Sequence, residues 1–387
     1  MTFTKKLMKI FYPLQVFYPS QVGGPANTVY WITKTLLQHG IEPIIVASDD
    51  GIRGKLPVNT WVDTDGGRAI YVRTRYKNWP LLTTLVSLAS FSRADIVHAS
   101  SIFLPTAFVT VLAARFLRKK VLWSIHGELD PLTLKNLSPI RKRLILWLVR
   151  NMVGDYAVYH STCDEETVYA RRVFGRAANI VQIPNYIELP PACVRVPSDY
   201  FLYIGRIHPK KGIDNLMHAL ALSDNFLESD MVLKIAGSGD RESVHSLQVL
   251  IQNLKLEDKV VFVGQVEGES KEQLLADAYF TIMPSHTENF GVVVLESLSQ
   301  NTPVIASKGT PWKSLEDEGI GFWIDNAPDE IGRTIDKVLK MSEREYEGFR
   351  KRGREFVQRE FDIQKHVGKW IKLYRSLGYK GSDSPKL

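Results

Sequence analysis

The chain has 387 residues, of which 44% are hydrophobic and 24% charged, and its formal net charge is +7. This length favours two domains, and this composition excludes disordered and collagen-like chains. The two cysteines, Cys163 and Cys193, show no metal-ligand spacing, which argues against a disulfide framework and favours a reducing cytoplasm. No apolar run approaches the roughly 18 residues that cross a bilayer. The positive net charge is compatible with three kinds of partner, which are an anionic membrane, nucleic acid and an anionic small molecule.

The first half of the chain alternates short apolar runs with helical patterns. Residues 10–14 read as a strand, a loop with Gly23-Gly24 follows, and a helix is predicted from about residue 27 to 38. Strands separated by helices pair in parallel, so this pattern predicts a doubly wound α/β sheet. Further strands are predicted at residues 44–47, 95–98, 121–124, 157–159 and 180–183.

Four prolines then crowd one short stretch, at positions 184, 190, 191 and 197, which is typical of an interdomain linker. The alternation restarts after it, so we predict an N-terminal domain at residues 1–190 and a C-terminal domain at 198–361. Ligands of such sheets bind beyond the carboxyl ends of the strands, so an interdomain cleft is the expected site. The strands predicted in the second domain are residues 200–204, 231–236, 260–263, 280–283 and 303–306.

The loop after residues 280–283 is the first candidate site. Gly291 opens a helix there, and the free backbone N–H groups and positive helix end at Gly291 and Val292 suit a phosphate. Val292 and Glu296 are four residues apart, so Glu296 lies on the same helix face, while Glu288 lies in the loop. The two carboxylates could accept hydrogen bonds from ribose and sugar hydroxyls. The alternative interpretation is two ordinary solvated charges.

Basic residues and glycines follow other strands of the second domain. Arg206 and Lys211 come after residues 200–204 and could clamp a diphosphate without a metal. Gly237 and Gly239 follow the next strand, and glycine permits close approach of a ligand to the backbone. For Arg206 and Lys211 the alternative is an exposed basic turn, and for Gly237 and Gly239 it is an ordinary glycine turn.

Three features of the N-terminal domain also bear on function. Gly23-Gly24 lacks the spacing of a dinucleotide fingerprint or a P-loop, yet it allows a ligand close to the backbone. His126 follows residues 121–124 and is expected at the cleft, with a structural histidine as the alternative. Asp63 and Asp65 have the spacing of a metal motif, but they precede two glycines in a predicted hairpin or loop, so no metal site is predicted.

A basic and apolar helix is predicted from about Arg141 to Arg150, and it contains Trp147. Such a helix either lies on an anionic membrane or packs on the sheet with a charged first turn. The membrane interpretation favours a lipid-linked saccharide as acceptor. Nucleic acid is disfavoured because aromatic residues do not interleave with the basic ones.

Taken in order, these motifs resemble the family-4 retaining glycosyltransferases over nearly the whole chain. The most specific part is the pair Glu288 and Glu296 around Phe-Gly, followed by residues 302–306. The segment 308–312 is similar to bacterial surface-polysaccharide and exopolysaccharide enzymes, and a capped loop with a packed tryptophan is the alternative interpretation. The resemblance implies the GT-B fold, with two facing Rossmann-like domains, and a last helix at about 362–380 that packs on the N-terminal domain.

The resemblance also implies roles for individual residues. Arg206 and Lys211 would bind the donor diphosphate, Glu296 the ribose, and Glu288 the transferred sugar. His126 would face that sugar, and His126 and Glu288 are the predicted catalytic residues. The predicted donor-binding residues are Gly24, Arg206, Lys211, Gly239, Glu288, Asn289, Phe290, Gly291, Val292 and Glu296.

The expected activity is metal-independent, retaining transfer of a hexose from a nucleotide sugar, with UDP-glucose as the first candidate. The acceptor is expected to be a saccharide or lipid-linked saccharide, and no cofactor is expected besides the nucleotide sugar. The enzyme is expected in the cytoplasm, at the inner face of the plasma membrane if the membrane interpretation holds. The alternatives are a nucleotide-sugar epimerase of the same fold and a non-catalytic subunit that binds a sugar nucleotide.

Overall fold

The computed structural model describes residues 7–20, 24–52, 54, 56–74, 80–135 and 139–378. Gly23 and residues 379 and 380 of the predicted last helix lie outside these ranges. The chain divides into two compact units, of which unit 1 contains residues 1–188 and 363–387 and unit 2 contains residues 189–362.

Unit 1 is built on an eight-stranded sheet in the order β3-β4-β2-β1-β5-β6-β7-β8. The strands are β1 (Met8–Pro13), β2 (Ile41–Ser48), β3 (Trp61–Thr64), β4 (Gly67–Val72), β5 (Ile96–Ser100), β6 (Lys120–Ser124), β7 (Val158–Ser161) and β8 (Ile180–Gln182). The helices are α1 (Gly24–Gln38), α2 (Leu81–Ser90), α3 (Pro105–Phe116), α4 (Pro131–Lys135), α5 (Pro139–Leu148) and α6 (Asp164–Phe174). The ladders are parallel except for the β3/β4 hairpin.

Unit 2 repeats this design with a six-stranded parallel sheet in the order β11-β10-β9-β12-β13-β14. Its strands are β9 (Tyr200–Ile204), β10 (Val232–Ala236), β11 (Val260–Gly264), β12 (Phe280–Met283), β13 (Val304–Ser307) and β14 (Gly321–Ile324). Its helices are α7 (Ile213–Leu222), α8 (Asp224–Glu228), α9 (Arg241–Asn253), α10 (Gly268–Asp277), α11 (Val292–Ser299), α12 (Ser314–Asp317), α13 (Pro328–Leu339) and α14 (Glu343–Glu360). The last helix, α15 (Ile363–Gly378), returns to unit 1.

The predicted α/β class is therefore confirmed, with local differences. Helix α1 begins three residues earlier than predicted, at Gly24, because Pro25 is compatible with a first helical turn. The prediction missed β14, which has only four residues, and it gave no separate strands for β3 and β4. Of the two possibilities predicted around Asp63 and Asp65, a hairpin or a loop, the structure shows the hairpin, since β3 and β4 pair antiparallel there.

Charge is divided unevenly between the two units. Unit 1 carries 29 Lys and Arg against 14 Asp and Glu, whereas unit 2 carries 20 against 28. The positive net charge of the chain therefore resides entirely in unit 1. A surface of that sign attracts anionic partners.

A chain of buried hydrogen bonds attaches α15 to the sheet of unit 1. It passes from Tyr12 to Tyr374, His98, Ser124, His160 and the carbonyl of Ile183, with donor–acceptor distances of 2.7 to 2.9 Å. The Trp370 ring on α15 packs on the rings of His98 and His160. Burial lowers the pKa of His160 to about 3 and also lowers that of His98. Both imidazoles are therefore neutral in the folded protein at physiological pH.

We predict that unit 1 loses stability as the pH falls from 7 to 5. The pKa of an unfolded histidine is about 6.5, so in this range the unfolded chain binds protons that folded His160 does not. The stabilisation is complete above pH 6.5 and declines below it. For His160 alone, the free energy of unfolding should fall by about 2 kcal/mol between pH 7 and pH 5. Thermal or urea unfolding across this range measures the effect.

Two variants identify the source of this pH dependence. His160→Gln retains a hydrogen-bonding side chain without the titration, so its stability should vary less between pH 7 and pH 5. The exposed His39 provides the control, and His39→Gln should vary like the wild type. An equal pH dependence in the wild type and His160→Gln would exclude His160 as the source.

Candidate functional site

The candidate site of unit 2 lies where the direction of strand order reverses. From β9 the chain adds β10 and β11 on one side, then crosses to add β12, β13 and β14 on the other. The loops after β9 and β12 therefore meet at a topological switch point, the usual ligand site of an open α/β sheet. The predicted residues Arg206, Lys211 and Glu288 lie in these two loops.

Backbone hydrogen bonds tie four of the loops at this sheet edge together. The loop after β9 joins those after β10 and β12, and the loop after β12 also joins that after β13. The bonds run from Ile207 N to Ser238 O at 2.9 Å, from His286 N to Lys210 O at 3.0 Å and from Glu288 N to Gly309 O at 2.8 Å. The site residues are thus carried by a connected set of loops.

Two glycines are needed for this close packing of backbone on backbone. A Cβ atom at Gly239 would lie 2.3 Å from the carbonyl oxygen of Ile207, and one at Gly212 would lie 2.1 Å from that of Pro284. Gly212 also has a positive φ of 62°, which favours glycine. The structure therefore gives Gly239 a packing reason, besides the predicted approach of a ligand.

Lys211 and Glu288 form an ion pair at the switch point. The Lys211 Nζ bonds to Glu288 Oε1, and the Ser285 hydroxyl donates to the same oxygen at 2.7 Å. Burial raises the pKa of the neighbouring Tyr203, with a further increase from Glu288 and an opposing effect of Arg206. The exposed Arg206 is therefore close enough to Tyr203 to act on it electrostatically, as Glu288 does. The structure brings together the cations and the first carboxylate that the sequence predicts.

Helix α11 begins beside this pair. Gly291 caps it with φ 75° and ψ 60°, and the preceding Phe290 is buried, with its carbonyl accepting the indole N–H of Trp312. Asn289 lies in the same loop, and Val292 starts the helix. The first backbone N–H groups of a helix have no acceptor within it and carry positive potential, which suits a phosphate oxygen.

Glu296 lies farther along α11 and has a partner that the sequence prediction missed. Lys271 Nζ, on α10, is 2.7 Å from Glu296 Oε1, and the side chains are 20% and 14% exposed. Lys271 belongs to none of the motifs used above and is 25 residues before Glu296 in the chain. No sequence pattern pointed to it, because only the packing of α10 on α11 brings the two together.

His126 lies in unit 1, in a tight turn after β6. His126 and Gly127 both have positive φ values, 53° and 74°, and the Gly127 N–H donates to the buried carboxylate of Glu166 at 2.5 Å. Burial lowers the pKa of His126 to about 4, so its imidazole is neutral near pH 7. Its Nε2 is buried and has no hydrogen-bond partner among the described residues. Gly24 also belongs to unit 1 and is the first residue of α1.

Family models match both halves of the chain. The model for the glycosyl transferase 4-like domain matches residues 23–186, and that for glycosyl transferases group 1 matches residues 195–356. This chain belongs to the family-4 glycosyltransferases of the GT-B fold. The matched ranges contain every predicted donor-site residue and His126.

Individual relatives agree with this family, and a solved structure has a similar fold. An uncharacterized glycosyltransferase of Methanocaldococcus jannaschii is 36% identical over 36% of this chain and 35% of its own length. The alpha-monoglucosyldiacylglycerol synthase of Streptococcus pneumoniae is 30% identical over 59% of this chain and 54% of its own. The Anabaena protein HepE, solved with UDP and glucose, has a TM-score of 0.76 at 18% identity and covers 95% of this chain and 99% of its own. This last similarity shows the fold.

No helix in the described ranges is both long and apolar enough to cross a membrane.

Proposed function

We propose that this protein transfers a hexose, with retention, from a nucleotide sugar to a saccharide or lipid-linked saccharide. UDP-glucose is the first candidate for the donor. The observation that carries the proposal is the Lys211–Glu288 pair, with Arg206 beside it, at the switch point of the unit 2 sheet. A binding site for a sugar diphosphate needs both cations and a hydroxyl acceptor, and this pair supplies both.

The proposed mechanism uses the charges of the protein to stabilise the leaving group. The nucleoside diphosphate gains negative charge as the bond to the sugar breaks, and Arg206, Lys211 and the start of α11 supply fixed positive potential. Lys211 would exchange part of its contact with Glu288 for a phosphate oxygen. Glu288 would then accept hydrogen bonds from hydroxyls of the transferred sugar. Metal independence is part of this proposal.

Retention would follow from attack on the same face of the sugar as the departing phosphate, which accepts the proton of the acceptor hydroxyl. Glu288 already bonds to Lys211 and Ser285, which suits a carboxylate that holds hydroxyls rather than a nucleophile. His126 would contact the transferred sugar as a neutral imidazole, since its pKa of about 4 leaves it uncharged.

A donor screen tests the proposal. Calorimetry with UDP-glucose, UDP-galactose, UDP-N-acetylglucosamine and GDP-mannose should show binding of at least one of them, undiminished by a chelator. Incubation of that donor without acceptor should release the nucleoside diphosphate slowly. An isomeric nucleotide sugar as the product would instead identify an epimerase, and binding without any turnover, even with acceptors, would identify a non-catalytic subunit.

A lipid-linked acceptor is favoured by the surface of α5. Ile140, Leu144 and Trp147 are 81%, 54% and 60% exposed and follow one another at spacings of four and three residues, so they share a face. The opposite side packs, because Ile145 and Leu146 contact the core of unit 1. The helix can therefore pack on the sheet of unit 1 and also present an apolar face to a membrane, so the two interpretations given from the sequence are compatible. An exposed apolar stripe on a basic unit suits an anionic membrane.

Replacing Leu144 and Trp147 together with serine should weaken binding to phosphatidylglycerol vesicles about tenfold or more, because two apolar side chains would no longer enter the bilayer. Co-sedimentation measures this binding. The exposed Leu222 of unit 2 is the control, and Leu222→Ser should bind like the wild type. Equal binding of the double variant and the wild type would exclude α5 as the contact.

A further inference from the structure

Lys271 is the cation that faces the second carboxylate of the donor site. Its Nζ lies 2.7 Å from Glu296 Oε1, and both side chains retain some exposure to solvent. The contact is with one oxygen of the carboxylate. A carboxylate has acceptor capacity on both oxygens, so one remains to accept hydrogen bonds from a ligand.

The position of Lys271 on α10 is unfavourable with respect to the dipole of that helix. It lies in the first turn of α10, which begins at Gly268. A positive charge there is disfavoured by the helix dipole, which favours acidic residues at the N-terminal end. The ion pair with Glu296 gives Lys271 a partner on α11.

Lys271 also offsets part of the negative charge of nearby carboxylates. Burial raises the pKa of Glu272, Glu269 and Glu296 raise it further, and Lys271 opposes them. Glu272 thus lies close enough to Glu269 and Glu296 to be repelled by both, and Lys271 lies close enough to offset part of that repulsion. Without that cation, Glu296 would lose its ion-pair partner while it remains near the carboxylate of Glu272.

We propose that Lys271 is a positioning residue for donor binding, which holds Glu296 oriented to accept hydrogen bonds from the vicinal hydroxyls of the donor ribose. This inference rests on the proposed function, since it assigns a partner to the carboxylate of the donor site. Lys271 acts through Glu296 and need not contact the nucleotide. Its removal should therefore affect ribose hydroxyl recognition and leave recognition of the diphosphate intact.

The test compares nucleotides with and without the ribose hydroxyls. UDP, ADP and GDP are titrated calorimetrically into the wild-type protein, and the tightest ligand is then compared with its 2′,3′-dideoxy form. In Lys271→Met, the dissociation constant of the ribonucleotide should rise about tenfold, the size of one charge-assisted hydrogen bond. The constant of the dideoxy form should be unchanged. Lys271→Arg, which retains a cation, should recover most of the affinity.

Lys313→Met is the matched control, because it also breaks a lysine–carboxylate pair in unit 2, with Asp317 on the protein surface. It should bind both nucleotides like the wild type. An unchanged ribonucleotide affinity in Lys271→Met, or an equal loss for both nucleotides, overturns the inference alone. Failure of the wild type to bind any of the three nucleoside diphosphates overturns the proposed function, and the inference with it.

Discussion

Replacing Lys211 with alanine is expected to lower the rate of hexose transfer by about 100- to 1,000-fold, the usual effect of removing one fixed charge from a developing anion. The ion pair with Glu288 places the Lys211 ammonium at the switch point of the unit 2 sheet, beside the start of α11. Without it, the leaving diphosphate loses a cation, and the mostly enclosed Glu288 loses its counterion. The release of nucleoside diphosphate from the best donor measures the effect, together with the dissociation constant of that product.

Lys210 provides the control for this experiment. It precedes Lys211 in the same short 3₁₀ turn, Pro209–Lys211, and its contribution to the loop contact is a backbone carbonyl that a substitution retains. Lys210→Ala should keep most of the activity. If the two variants lose activity equally, the loss reflects the removal of positive charge from this loop in general. The specific role assigned to Lys211 would then be wrong.

Replacing His126 with alanine is expected to lower kcat about 100-fold while the affinity for the nucleoside diphosphate changes little. The neutral imidazole of His126 has a buried Nε2 without a partner among the described residues. This nitrogen is therefore available to form a hydrogen bond with the transferred sugar. That contact would strengthen as charge develops on the sugar. The nucleoside diphosphate alone has no sugar to contact, so its affinity should be insensitive to the change.

The exposed His39, also in unit 1, is the control, and His39→Ala should turn over like the wild type. Unfolding temperatures of both variants separate a catalytic loss from a structural one, because His126 lies in a turn with a positive φ. A His126→Ala variant with normal stability and normal kcat would falsify the catalytic assignment.

Much of the fold was predictable because its signals are local. Residues 200–204 and 280–283 coincide with β9 and β12, since a buried parallel strand is a continuous apolar run bounded by turn residues. The strands β3, β4 and β14 were not predicted as separate strands. β14 has only four residues, and β3 and β4 pair with each other across the turn at Gly66.

The sequence by itself determined the α/β class, the two sheets, the start of α11 directly after Gly291 and the positions of Glu288 and Glu296 around it, because each depends on neighbouring residues. Only the tertiary structure decided which charges meet. Lys211 and Glu288 are 77 positions apart, and Lys271 reaches Glu296 from another helix. The buried chain from Tyr374 to His98 and His160 likewise joins distant segments. Strand order sets such contacts, and strand order is a property of long-range packing that no local pattern contains.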